Sequence, residues 1–448
     1  MGKLFGTDGV RGIANSELTP ELTMKLGRAG AYVLTKTSTQ SPKVLIAMDT
    51  RRSGDMLSAA LAAGLCSVGA TVYMAGVIPT PAVAYLVQHH KLDAGAMITA
   101  SHNPMADNGV KYYSSSGYKL PDALEEEIES YLDSQELPRP VGPDVGITLP
   151  LASAADDYLA YLLSTVEGLS LKGLSIAIDC ANGATSDIAL RLFEALGANV
   201  HILFNVPDGL NINHGCGSTH MGAISKYVVE KGLDIGLAFD GDGDRVLVVD
   251  ENGQLIDGDV MLAICAHDLK ERGKLPHNTL VATSMSNQGL EVMCQENGIK
   301  LLRTDVGDRY VLEKMLSDGL ALGGEQSGHV IFAEHSTTGD GMLTGLMLLE
   351  IMARKKKPIS ELRKVMDHFP QVLINVQVSG ERKREWSKSP AITNAIAKAE
   401  SELGKEGRIL IRPSGTEALV RVMIEGRDKA VIQKIAEGLA GVIGMTLV

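Results

Sequence analysis

One pattern of apolar and polar positions occurs three times along the chain. Residues 44–48 (VLIAM), 174–178 (LSIAI) and 280–284 (LVATS) are short apolar runs of the buried-strand type, each running into a polar or glycine-bearing turn. Apolar residues at helical spacing follow, as in Met56, Leu57, Ala60, Leu61, Gly64 and Leu65, in Ile188, Leu192 and Leu196, and in Leu290 and Met293. Gly69, Gly197 and Gly298 then stand where a helix ends on a left-handed residue, and the next strands begin at once: ATVYMAG, ANVHILF and IKLLRT. The spacing predicts three βαβ units. Each adds a further apolar segment that leads into a polar loop: AGAMI into TASHNP, DIGLAF into DGDGDR, and ALGG into EQSGH. Ligands sit at such strand ends in α/β folds, so the chemistry is expected in these three loops.

After about residue 369 the pattern changes. QVLINVQV and LVRVMIEG alternate like half-exposed antiparallel strands, and Lys429 to Val442 reads as a helix. Breaks fall at the proline-rich stretch Pro138 to Pro150, at the Asn252-Gly253 turn and at the basic run Lys355 to Lys357 before Pro358. The expected domains are 1–150, 151–253, 254–368 and 369–448, three similar α/β units with mixed sheets and a smaller α+β unit. A chain of 448 residues is too long for one core, and 45% hydrophobic with 21% charged residues is an ordinary globular composition.

Charge narrows the partners. A formal net charge of −12 argues against nucleic acid, whose binders carry a basic stripe, and points to a small molecule. Five scattered cysteines with no C-x-x-C pair suit a reducing compartment, so the cytoplasm is expected. The amino terminus has no apolar export segment, and no stretch approaches the ~20 apolar residues that span a bilayer, so no membrane is expected. If two chains pair as a homodimer, the Leu57 to Val68 helix is the face expected to do it.

Asp240, Asp242 and Asp244 alternate with glycines, so the backbone can fold until all three carboxylates converge on one hard cation such as Mg²⁺. An EF-hand is the competing pattern; it fails because Arg245 stands where glycine is required and Val246 to Val249 reads as a strand. In TASHNP, Ser101 or Asn103 could equally be a helix cap, with Pro104 opening the first turn of a following helix. No Asp-His relay is evident to activate Ser101 for acyl transfer. Arg412, Ser414, Gly415 and Thr416, with Arg421, hold the materials of a phosphate cradle or of a plain turn between strands. GEQSGH offers Glu325 and Ser327 to sugar hydroxyls, and an imidazole, His329, of a kind that is more often structural than catalytic.

Together FGTDGVRG at 5–12, TASHNP at 99–104, DGDGDR at 240–245, GEQSGH at 324–329 and RPSGTE at 412–417 resemble the α-D-phosphohexomutase superfamily, in order and separation, over essentially the whole chain. GEQSGH with the near-terminal FGTDGVRG is most similar to its glucosamine-phosphate branch; branches acting on glucose or mannose phosphates, and a silent sugar-phosphate sensor, are the alternatives. The resemblance implies four domains around a central cleft. It implies that Ser101 is a phosphoserine and that Asp240, Asp242 and Asp244, with an oxygen of that phosphoryl group, hold one Mg²⁺. Lys111 and His329 correspond to proton-transfer positions, Thr7 and Arg11 to the neighbourhood of the serine, and His102 to substrate contact. Arg245 is a nearby cation. Glu325 and Ser327 would hold the sugar, and Arg412, Ser414, Gly415, Thr416 and Arg421 the phosphate that is not reacting. The implied reaction interconverts glucosamine 6-phosphate and glucosamine 1-phosphate through a glucosamine 1,6-bisphosphate intermediate.

Overall fold

The computed structural model describes residues 4–6, 8–36, 41–134, 136–380, 382–404, 407–414 and 417–447. Thr7, Gly415 and Thr416 therefore lie outside the described residues. The chain forms two compact units, one made of Met1–Met285 with Leu301–Lys364 and the other of Ser286–Lys300 with Val365–Val448.

The first unit contains a six-stranded sheet in the order Val10–Ile13, Asp107–Ser114, Ala94–Ile98, Lys43–Met48, Thr71–Val77, Thr148–Pro150. Its middle strands are parallel, while Asp107–Ser114 runs antiparallel to Ala94–Ile98 and to Val10–Ile13. The sheet is mixed because the chain turns straight back after the Ser101 loop. A five-stranded sheet repeats the plan in the order Leu255–Ile256, Val246–Asp250, Ile235–Phe239, Ser175–Asp179, Asn199–Leu203. Again the strand before the acidic loop pairs antiparallel with the strand after it. A four-stranded sheet ends the same way, with Leu322–Gly324 antiparallel to Val330–Phe332 across the GEQSGH turn. The three repeats expected from the hydrophobic pattern are thus α/β units with mixed sheets.

The serine loop departs from expectation. No helix follows Pro104; after the loop the backbone enters Asp107–Ser114, so neither Ser101 nor Asn103 caps a helix there. In the Leu57 to Val68 helix, Leu57, Leu61 and Leu65 are fully buried in the core beside Leu26, Ala29 and Val33 of Pro20–Thr35, so its outward side is left to residues such as Ala59 and Ala63. Gly27 and Gly64 allow that approach, since a Cβ on Gly64 would sit 2.2 Å from the Met24 carbonyl oxygen.

In the second unit, Gln371–Gln377 and Gly407–Pro413 both pair antiparallel with the central strand Leu419–Gly426. Helix Lys429–Leu447 covers the sheet through Ile432, Ile435, Ala436, Leu439 and Ile443. By length and composition this helix is apolar enough to cross a membrane, contrary to the expectation that no stretch is. Helix Gln288–Glu296, read from sequence as the helix of the third repeat, belongs to this unit. Glu425 explains why: its buried carboxylate accepts from the Gln288 N–H (3.0 Å) and from Arg408 Nε (2.7 Å), while Asn287 Nδ2 donates to the Phe369 carbonyl (3.0 Å).

Candidate active site

The Ser101 loop leaves the C-terminal end of Ala94–Ile98, and the acidic loop leaves the C-terminal end of Ile235–Phe239. They meet inside the first unit. Ser101 Oγ donates to Asp240 Oδ2 at 2.6 Å and lies 3.3 Å from His102 Nδ1. Gly241 makes the approach possible, because a Cβ there would stand 2.6 Å from the Ser101 carbonyl oxygen. Gly243 (φ +71) lets the acidic loop turn through a left-handed residue.

Asp240, Asp242 and Asp244 are buried, and one oxygen of each lies within 4.8 Å of the others. Asp242 Oδ1 and Asp244 Oδ1 have no hydrogen-bond partner among the described residues. Orphaned buried carboxylate oxygens are costly, and one hard cation bound there would satisfy both. The residues present therefore fit a divalent metal. Surrounding charges divide the three acids: burial and then Asp242 and Asp244 push the Asp240 carboxyl well above its usual range. Burial also works against ionisation of Asp244, but Lys111, His329 and Arg245 together hold it well below that range.

Lys111 Nζ lies 2.9 Å from Asp242 Oδ2, 3.0 Å from Asp8 Oδ2 and 3.7 Å from Asp244 Oδ2. Burial disfavours its charge, but these carboxylates outweigh burial and hold the lysine protonated. Arg245 Nη1 contacts His102 Nδ1 at 3.1 Å. Burial, Arg245 and Arg11 keep the His102 ring below its ordinary value. His329 is buried with Nδ1 3.7 Å from Asp244 and Nε2 3.5 Å from Asp308, and the Gly339 N–H donates to Nε2 at 3.0 Å.

A cavity of about 710 Å³ opens beside this cluster, lined among others by Arg11, His102, Arg245, Glu325, Ser327 and His329. Glu325 accepts from the Gly307 N–H at 3.2 Å, and Ser327 Oγ stands 3.5 Å from its other oxygen. Ser101 and Lys111 are buried and do not line the cavity, whereas their neighbours His102 and Asp244 do. Arg11 lines the cavity and donates to Asp8; no bond from it to Ser101 occurs among the described residues.

Several residues at the centre were not singled out from sequence. Asp8 accepts from Arg11 and Lys119 and pairs with Lys111, and Lys119 Nζ reaches Asp308 at 2.5 Å. Thr80 Oγ1 donates to Asp242 at 2.6 Å. Arg51, Asp49 and Asn213 hold the serine loop from behind. Asp8 was visible in FGTDGVRG, and Asp49 and Arg51 directly follow a predicted strand end; Lys119 and Asp308, 189 residues apart, had no local signal.

The remaining predicted residues belong to the second unit. Arg412 stands directly opposite Arg421 across neighbouring strands, and both are exposed. Ser414 is buried; its Oγ accepts from the Glu417 N–H at 3.2 Å, and Arg421 lies 3.6 Å from the Glu417 carboxylate.

Comparison with known proteins agrees along the whole length. Models of the phosphoglucomutase/phosphomannomutase family match residues 2–139 (alpha/beta/alpha domain I), 156–253 (domain II), 257–369 (domain III) and 373–442 (C-terminal domain). The chain belongs to the phosphoglucomutase/phosphomannomutase family. Within it, the chain is 55% identical over 445 residues to the phosphoglucosamine mutase of Acetivibrio thermocellus, with 99% of each chain covered. It is 54% identical over 446 residues to that of Caldicellulosiruptor saccharolyticus, again with 99% of each covered. A family protein from Burkholderia thailandensis has the same fold, with a TM-score of 0.85 at 25% identity, covering 99% of this chain and 97% of that one. Aspergillus fumigatus N-acetylphosphoglucosamine mutase, solved with GlcNAc-6P and magnesium, aligns at a TM-score of 0.65 and 18% identity over 99% and 96% of the two chains.

Proposed function

We propose that this member of the family is a phosphoglucosamine mutase that interconverts glucosamine 6-phosphate and glucosamine 1-phosphate through phospho-Ser101. The observation that carries the chemistry is the 2.6 Å bond from Ser101 Oγ to Asp240, beside the orphaned oxygens of Asp242 and Asp244. The substrate follows from full-length identity above half to phosphoglucosamine mutases.

Asp240, Asp242 and Asp244, with a phosphoryl oxygen on Ser101, would hold Mg²⁺, which supplies positive charge where the transferring group is most negative. A phosphoserine dianion and three carboxylates still sum to about −5 against +2. Lys111 and Arg245, both held as cations, offset the surplus from within the cluster. Phosphoryl transfer then needs mainly a hydroxyl in line. The sugar O1 attacks phosphorus and the bond to Ser101 Oγ breaks; the hydroxyl proton passes to His329, which lines the cavity where Lys111 does not, and the departing serine oxygen takes a proton from Lys111, the other candidate for proton transfer, which is held protonated. The resulting 1,6-bisphosphate turns around and returns its 6-phosphate to Ser101. Glu325 and Ser327 hold the sugar, and Arg412, Ser414 and Arg421 grip the resting phosphate. Five free thiols, Cys66, Cys180, Cys216, Cys265 and Cys294, accord with a cytoplasmic enzyme.

The test is intact-mass analysis of the active enzyme together with rates on glucosamine 6-phosphate, glucose 1-phosphate and mannose 1-phosphate. A phosphoryl adduct on Ser101 and a clear preference for the amino sugar are expected. An active enzyme that never carries the adduct, or a preference for glucose or mannose phosphate, would sink the corresponding half of the proposal.

A further inference from the structure

Ser101 occupies the left-handed region (φ +50), which serine rarely adopts, and something must hold it there. Two buried side chains do so from opposite directions. Arg51, whose side chain is 0% exposed, donates from Nη2 to the carbonyl oxygens of Ser101 and Asn103, both at 2.9 Å, and from Nη1 to those of Pro104 and of Asp107, the latter at 3.0 Å. Asn213, from a loop between the second sheet's strands, donates from Nδ2 to the same Ser101 and Asn103 carbonyls at 2.8 and 3.1 Å. Asp49 balances the guanidinium, with Nε to Oδ2 at 2.9 Å, and also accepts from Thr99 Oγ1 at 2.7 Å. Thr99 Oγ1 in turn accepts the Ser101 N–H at 2.9 Å. The amide and carbonyl of the serine are thus both fixed, and from that backbone its Oγ reaches Asp240 Oδ2 at 2.6 Å.

We propose that Arg51 and Asn213 are positioning residues for the phosphoryl transfer: they clamp the backbone of Ser101 so that its Oγ faces Asp240. This rests on the phosphoserine route proposed above. A guanidinium can bridge four carbonyls because its donors form a fixed planar fork; a lysine ammonium at the same place is a single point and cannot. The clamp acts on the attacking and leaving oxygen alone, since neither residue lines the sugar cavity. Its loss should therefore lower kcat and spare KM.

The experiment compares Arg51→Lys, Asn213→Asp and the double variant, as full-length enzyme with Mg²⁺ and bisphosphate supplied. Asn213→Asp keeps the size and the left-handed preference that Asn213 (φ +58) needs, but it turns the shared donor into an acceptor. A fall in kcat of about ten- to a hundredfold is expected for each, with KM within about twofold, because small misplacements of reacting atoms cost rates of this order. The double variant should be less than multiplicative, since both side chains act on the same two carbonyls. Wild-type kcat in either single variant, folded by thermal melting and phosphorylated by intact mass, would overturn the proposal, as would a defect confined to KM. If Arg51→Lys fails to fold, Asn213→Asp decides alone. A wild-type enzyme without a phosphoryl adduct would instead refute the phosphoserine route itself.

Discussion

Ser101 is fully buried, and its amide, carbonyl and hydroxyl are each committed to a named partner within the first unit. Arg421, on the strand that follows the loop proposed to hold the resting phosphate, has a side chain about half exposed, with its ion pair to Glu417 at 3.6 Å. Both regions handle phosphate on the proposed route, yet one is buried and tied on every side and the other exposed and weakly tied. Burial amplifies electrostatics, so the transferring end gains from charges fixed before the substrate arrives. Exposed charges are screened and worth less apiece, but Arg412 opposite Arg421 is a like-charge pair that an incoming anion relieves. A site that must accept each end of a bisphosphate in turn is better served by such a grip than by a close-fitting pocket.

The contrast breaks first at Ser101. Ser101→Ala should lose mutase activity on the order of 10⁴-fold or more even with bisphosphate supplied, because no other described group takes over as nucleophile. Retention of a tenth of wild-type turnover would show that the buried loop is not where transfer occurs. Next, Asp242→Asn should reduce kcat about 10²- to 10³-fold and weaken the Mg²⁺ dependence, as for loss of a group aimed at transition-state charge. Thermal melting checks that the fold survives; unchanged metal titration would count against the carboxylate site. At the exposed loop the effect should be smaller and of another kind. Arg421→Ala should raise KM about tenfold, roughly 1.4 kcal/mol, with kcat little changed and with the difference shrinking in high salt. An equal loss in kcat would mean that this loop, too, is organised for the transition state.

The sequence carried the repeats and the five loops because both are local signals: apolar period, glycine punctuation and carboxylates on alternate residues. It did not carry the partners that tie those loops together. Lys119 meets Asp308 and Asn213 meets Ser101 only because separate strand ends are folded against each other, at separations of 189 and 112 residues. Pro104 misled for a related reason: a proline after a cap-like serine suits a helix start, but antiparallel pairing of Asp107–Ser114 with Ala94–Ile98 claims the next residues. The helix Gln288–Glu296 was legible in the chain, but the buried Glu425 that holds its first turn lies 137 residues away and had no local signal.

The smallest effect on turnover, and the finest test of the comparison, concerns a buried acid beside the site that makes no hydrogen bond to Asp240, Asp242 or Asp244. Asp340 caps helix Gly341–Lys355, accepting from the Leu343 N–H at 2.9 Å and from the Tyr158 hydroxyl at 2.6 Å. Burial raises its carboxyl from 3.8 to about 6, despite those two bonds pulling the other way. Between those pH values the folded chain holds a proton that the unfolded chain has lost. The group's contribution is therefore fully present below about pH 4 and disappears as pH rises through about 6, leaving a buried charge at pH 7. Asparagine caps helices as well as aspartate does and carries no charge. Asp340→Asn should thus be more stable than wild type by about 1–3 kcal/mol at pH 7 and indistinguishable from it near pH 4, by urea titration at both values, with turnover close to wild type. Exposed Arg421→Ala should show no such pH-dependent gain. If Asp340→Asn is destabilised at pH 7 instead, the buried Asp340 charge is contributing to the fold rather than opposing it.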